Sequence, residues 1–121
     1  MKKCLLIIDD DEDLGEVFHD IFSEDDYDIH FYSGTDDIFD LLEQHQPNLV
    51  ILDYNLNGTN GGELCKRIKN SNKYHHIPVM LLSAFPRFIY QTENFGYDVF
   101  LEKPFEVAEL KLIVEDKLSN E

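Results

Sequence analysis

Positive charge is what this sequence has least of: ten lysines and arginines stand against twenty-five aspartates and glutamates in 121 residues, a formal net charge of −15. Such a chain repels phosphate backbones and anionic lipid, which argues against nucleic acid and membrane surfaces as partners and favours cations or basic protein surfaces. Cysteine is scarce too. Cys4 lies in an apolar run and Cys65 at an apolar helical position, so both read as buried thiols in a reducing cytoplasm. Long hydrophobic runs are missing: Lys2 and Lys3 precede only five apolar residues before Asp9, short of the roughly 7–15 of a signal-peptide core. No other run approaches the ~20 residues of a membrane span. There is no internal repeat, linker or low-complexity tract. The expectation is a soluble, cytoplasmic protein.

The high charge does not signal disorder, because 43% of residues are hydrophobic and 12% aromatic, enough for a packed core in one domain. Short apolar runs recur at CLLII (4–8), IHFY (29–32), LVIL (49–52), VMLL (79–82) and VFL (99–101). Bounded by polar or turn residues, they read as strands buried on both faces. Between the first two, Leu14, Val17, Phe18, Ile21 and Phe22 follow the spacing of a helix with one apolar stripe. Ile38, Leu41 and Leu42 mark a second helix, stopped near Pro47. Leu64, Cys65 and Ile68 mark a third, reached through the Gly61-Gly62 turn, and Val107, Leu110, Val114 and Leu118 a last one. A short helix from Pro86 to before Gly96 fills the remaining gap. Strand and helix thus alternate five times, the pattern of a doubly wound α/β fold with a five-stranded parallel sheet and five helices.

Five consecutive carboxylates, Asp9 to Asp13, follow the first strand. Packed together they raise one another's pKa and oppose folding, so the arrangement needs a cation or ample water. Polar residues also follow the other inner strands: Asp53 after the third, Ser83 after the fourth and Lys103 after the fifth. In open parallel sheets ligands bind outside the carboxyl ends of the strands, so these signals fall on one edge. Each is weak alone, since a lone aspartate there is more often a helix cap. Jointly they place three carboxylates, a hydroxyl and an ammonium around one pocket. Mg²⁺ needs one or two protein carboxylates plus phosphate oxygens and waters, and a carboxylate beside it can attack phosphorus to give an aspartyl phosphate.

These residues resemble the receiver domains of two-component response regulators over the whole chain, in IIDDDEDL, LVILDYNLNGTNGG, LLSA and FLEKPF. The resemblance implies a flavodoxin-like sheet of order 2-1-3-4-5 and a single receiver domain over residues 1–121. Only Ser119, Asn120 and Glu121 follow the last helix, so no output domain is expected in this chain. It further implies that Asp53 is the phosphoacceptor, that Asp10 binds Mg²⁺ (or Mn²⁺) with Asp9 assisting, and that Asn55 offers a backbone carbonyl to the metal. Ser83 and Lys103 would bind the phosphoryl group. Phe100 falls on the aromatic switch position, and the Lys103-Pro104 bond is expected to be cis. The implied partner is a sensor histidine kinase or histidine phosphotransfer protein, with the receiver a monomer or a phosphorylation-dependent dimer. Leu56, Asn57 and Asn60 depart from the usual loop after the phosphoacceptor, which implies a less rigid loop.

Plainer readings stand beside these. Asp11, Glu12 and Asp13 suit capping at a helix N-terminus. His75 and His76 read as surface, and Lys66, Arg67 and Lys69 as a solvated face. Phe85, Phe88, Tyr90, Phe95 and Tyr97 read first as core packing and second as a partner patch. Two alternative functions remain at this point: a binding module that never uses its phosphorylation site, and a phosphohydrolase of the haloacid dehalogenase type, which also uses an aspartyl phosphate at a strand end.

Overall fold

A computed structural model describes residues 2–56, 59–84 and 95–119. Five strands, β1 (Lys3–Ile8), β2 (Tyr27–Tyr32), β3 (Leu49–Asp53), β4 (Val79–Ser83) and β5 (Val99–Glu102), form one parallel sheet in the order β2-β1-β3-β4-β5. All of β3 and β4 and the last four residues of β1 are buried, as expected of apolar runs covered on both faces. Alternate side chains go to opposite sides. Leu6, Ile8, Val50, Leu52, Val79 and Leu81 enter one core with α2 (Ile38–His45) and α3 (Gly61–Lys69). Leu5, Ile7, Leu49, Ile51, Met80 and Leu82 enter the other with α1 (Glu12–Ile21) and α4 (Val107–Ser119). These are the four helices among the described residues. The helix expected from Pro86, together with Phe85, Phe88 and Tyr90, lies outside them.

The ends of the elements follow local chemistry. Asp11 caps α1, its side chain accepting from the Asp13 N–H, and Asp37 caps α2 through the Phe39 N–H, each satisfying a donor the helix leaves open. Gln46 closes α2 in the left-handed region at φ 49°, one residue before Pro47. Two features differ from the sequence reading. The segment after β3 forms a small antiparallel pair, Asn55–Leu56 with Thr59–Asn60, and the Asn60 side chain caps α3 at 2.7 Å from the Glu63 N–H. Lys69 is not a solvated residue: its ammonium bonds the Ile77 carbonyl at 2.8 Å and pairs with Asp98, tying α3 to the start of β5. Lys66 and Arg67 are exposed, as read.

Candidate functional site

The chain runs from β1 outward to β2 and returns across the sheet to β3. That reversal leaves a crevice at the carboxyl ends of β1 and β3. Asp9 and Asp10 leave β1 there and Asp53 ends β3; one carboxylate oxygen from each lies within 4.8 Å of the others. Asp9 is fully buried and Asp53 is 5% exposed, while Asp10 faces solvent. From β5, Lys103 reaches back across 94 residues of sequence to place its ammonium 2.8 Å from Asp9 Oδ2. The same ammonium lies 3.7 Å from Asp53 Oδ1. Ser83, fully buried, ends β4, and its carbonyl accepts from the Lys103 N–H at 2.7 Å. The Lys103-Pro104 peptide is cis.

The backbone around Asp53 is pinned. The Tyr54 N–H donates to the Leu82 carbonyl at 2.7 Å and the Gly61 N–H to the Tyr54 carbonyl at 2.8 Å. A Cβ on Gly61 would lie 2.1 Å from the Asp53 carbonyl oxygen, so only glycine lets α3 start this close. The Asn55 N–H donates to the Asp53 carboxylate, and Asp9 Oδ1 accepts from the Asp11 N–H at 2.9 Å.

Electrostatically the pocket is under-neutralised. Burial, then the charge of Asp9, pushes the Asp53 carboxyl up from 3.8 to about 6, against the opposing pull of Lys103 and the Asn55 N–H. For Lys103, burial alone would lower the ammonium's pKa. Its hydrogen bond to Asp9 and the charges of Asp9, Asp53 and Asp11 outweigh burial and raise it. One cation among three carboxylates thus leaves the site short of positive charge. The donor set fits Mg²⁺: octahedral ligands at about 2.0–2.1 Å put opposite oxygens roughly 4.2 Å apart, so three oxygens within 4.8 Å need only small side-chain adjustments to close.

Asp9, Asp10, Asp53, Ser83 and Lys103, all singled out in the sequence, therefore meet at one edge, and Asn55 lies directly beside them. Phe100 sits on β5 opposite Leu81, partly buried against the α2–α3 core. His75 is exposed, and its Nδ1 is 3.0 Å from the Ser71 carbonyl oxygen. Burial pushes the thiols of Cys4 and Cys65 up to about 11 and about 12, as inert thiols require. The sequence marks Gly61 only as a turn; the Gly-Gly pair just before Leu64 is the signal of the close approach seen here.

A family model for the response regulator receiver domain matches residues 5–115. The chain is 35% identical over 121 residues to the histidine kinase P4 of Formosa agariphila, covering 98% of this chain and 9% of that protein. It is 32% identical over 112 residues to the heme response regulator HssR of Staphylococcus epidermidis, covering 91% of this chain and 48% of that one. Among solved structures, the receiver domain of a signal transduction histidine kinase from Syntrophus aciditrophicus matches with a TM-score of 0.86 at 27% identity, covering 98% of this chain and 91% of that chain. With its sheet order and acidic crevice, this chain belongs to the family of response regulator receiver domains. The chain spans less than half the length of either curated relative. Receiver domains are signalling domains of two-component systems rather than turnover enzymes. No helix among the described residues is long and apolar enough to cross a membrane.

Proposed function

We propose that this receiver takes a phosphoryl group onto Asp53 from a phosphohistidine donor and changes its protein-binding surface in response. The observation that carries the reading is the buried Asp53 carboxylate held between the Asp9–Lys103 pair and the Asn55 N–H. An Asp53 oxygen attacks phosphorus in line with the donor's phosphorus–nitrogen bond. As the new oxygen–phosphorus bond forms, the imidazole leaves and takes a proton from solvent. The Lys103 ammonium, already 3.7 Å from Asp53, swings toward the developing charge on the equatorial oxygens, and the Ser83 hydroxyl donates to one of them. Mg²⁺, or Mn²⁺, supplies further charge neutralisation when bound, held by Asp10, Asp53 and the Asn55 carbonyl. Asp9, whose oxygens already accept from Lys103 and the Asp11 N–H, assists through water. Slow hydrolysis of the acyl phosphate returns the carboxylate.

A groove beside the site supports a phosphohistidine donor as the partner. A groove of about 460 Å³ beside Lys103 is walled by Leu14, Val17, Pro104, Phe105 and Val107 and rimmed by Asp11 and Asp13. Lys103 is the one basic residue lining it, and no lysine or arginine occurs between Lys3 and Lys66, so the α1 side of the rim is acidic. It suits a sensor histidine kinase or phosphotransfer helix whose apolar stripe carries basic flanks, met in the cytoplasm.

The test is intact mass after incubation with acetyl phosphate and Mg²⁺, for wild type, Asp53→Asn and a sample with EDTA. One phosphoryl adduct that needs the metal and vanishes in the variant is expected. A wild-type protein that stays unmodified, while the small donor remains intact in solution, would overturn the reading and favour a binding module that works without phosphorylation.

A further inference from the structure

Tyr54 follows Asp53, and its ring leans on Phe95 with centroids 5.8 Å apart at 54°. Phe95 is 4% exposed. Its ring also covers Gly62, where an added Cβ would come within 2.7 Å of the ring carbons. One side chain therefore touches both the residue after Asp53 and the first turn of α3, the two elements that fix the Asp53 backbone. Two residues on, Tyr97 meets the ring of Phe100 with centroids 5.9 Å apart. Between and after them the chain has little slack. Gly96 takes a φ of 82°, and the Asp98 carboxylate accepts from the Val79 N–H at 2.7 Å and pairs with Lys69.

We propose that Phe95 is a positioning residue for the Asp53 loop, and that its contact with Tyr54 links the state of Asp53 to Phe100 by a route that does not pass through Ser83. The inference rests on the phosphoacceptor reading above. A phosphoryl group added to a buried carboxylate must displace its surroundings, and the Tyr54 peptide, bonded to Leu82 and Gly61, is the first backbone beyond it. Close-packed interiors hold few voids in which such a shift can fade, so adjoining rings pass it on. Phe95 moves against Gly62 or away from it, and the anchored Gly96–Asp98 segment turns that motion toward Tyr97 and Phe100. Sequence alone hides this role, because Phe95 lies thirty-three residues from Gly62 and reads as ordinary core.

The experiment follows wild type, Phe95→Leu and Tyr54→Leu with beryllium fluoride and Mg²⁺ as the phosphoryl mimic. It reads amide shifts of Ser83, Tyr97, Phe100 and Lys103, with ¹³C-labelled phenylalanine rings in wild type. In wild type the Phe95 ring signal moves on adding the mimic. In both variants the Mg²⁺ dissociation constant rises about threefold to tenfold. Their shifts at Tyr97 and Phe100 fall below about half of wild type while those at Ser83 and Lys103 persist. A Phe95 ring that does not respond in wild type, or full shifts at Tyr97 and Phe100 in both variants, would overturn the inference. The ring measurement needs no variant to fold. Failure of wild type to take a phosphoryl group from acetyl phosphate overturns the phosphoacceptor reading instead, so the two failures are distinct.

Discussion

In metal-free protein at pH 7.5, removing the negative charge at the proposed phosphoacceptor should stabilise the fold. Asp53 is 5% exposed and its carboxyl is pushed from 3.8 to about 6 by burial and by Asp9, even after Lys103 and the Asn55 N–H have pulled it down. A carboxyl that titrates higher in the fold than in the unfolded chain binds more protons when folded. Stability therefore falls as pH rises from about 4 to about 6, and the full penalty is present above that window. The difference between 3.8 and about 6 corresponds to roughly 3 kcal/mol. Asp53→Asn removes that penalty but accepts a weaker hydrogen bond from Asn55, which takes back about 1 kcal/mol. The net gain of about 2 kcal/mol should raise the melting temperature by roughly 6–10 °C in a domain of this size.

The assay is urea and thermal unfolding followed by circular dichroism in EDTA, at pH 7.5 and pH 5. The variant's advantage should be present at pH 7.5 and shrink at pH 5, where the wild-type carboxyl is largely protonated. Millimolar Mg²⁺ should then stabilise wild type more than the variant, because binding to the folded state alone adds to stability and the variant has lost a ligand. A folded Asp53→Asn protein no more stable than wild type at pH 7.5 in EDTA would refute the argument that this pocket lacks positive charge.

Three further outcomes are expected. Gly61→Ala places a methyl 2.1 Å from the Asp53 carbonyl oxygen, so the backbone must move; urea unfolding should show a loss of about 3 kcal/mol, and an unchanged midpoint would show that α3 is not pinned there. Lys69→Met removes the ammonium from Asp98 and the Ile77 carbonyl and should cost about 1–3 kcal/mol in the same assay; a neutral result would make the tie incidental. Partial burial and then the charge of His30, whose ring stacks on His45 with centroids 3.9 Å apart, hold His45 below the usual histidine range, against the pull of Asp28. A base depressed in the fold gives stability that is complete above its unfolded value and lost as pH falls. Wild type should therefore lose stability relative to His45→Gln between pH 7.5 and pH 5.5, and a constant difference would contradict the argument from burial and the charge of His30.

What the sequence disclosed depended on which physical signal each element carried. Strands β1, β3 and β4 are buried on both faces, so their apolar runs marked them almost to the residue. β2 lies at the sheet edge with Asp28 exposed, and an apolar-run reading therefore began it at Ile29, two residues after its observed start at Tyr27. The pair formed by Asn55–Leu56 and Thr59–Asn60 was missed because two-residue strands have no periodicity; the Asn57-Gly58 dipeptide, a hairpin signal, was the available clue. Asp9, Asp10, Asp53, Ser83 and Lys103 were legible because a parallel sheet sends every strand's carboxyl end to the same edge, so position after a strand is already position in space. Their partners were not. That Lys103 bonds Asp9 at 2.8 Å while standing 3.7 Å from Asp53 follows from the path of the chain after β5 across the sheet. The same limit explains Gly61 and Phe95: what each of them does is set by an atom it touches from a distant stretch, and neither periodicity nor propensity records such a contact. The carboxylate run from Asp9 to Asp13 divides in the same way. Asp11 answers to its own helix as a cap, a local rule readable in place, whereas Asp9 is buried at the cost of repulsion with Asp53, a choice that makes sense only once a lysine from the far end of the chain stands beside it.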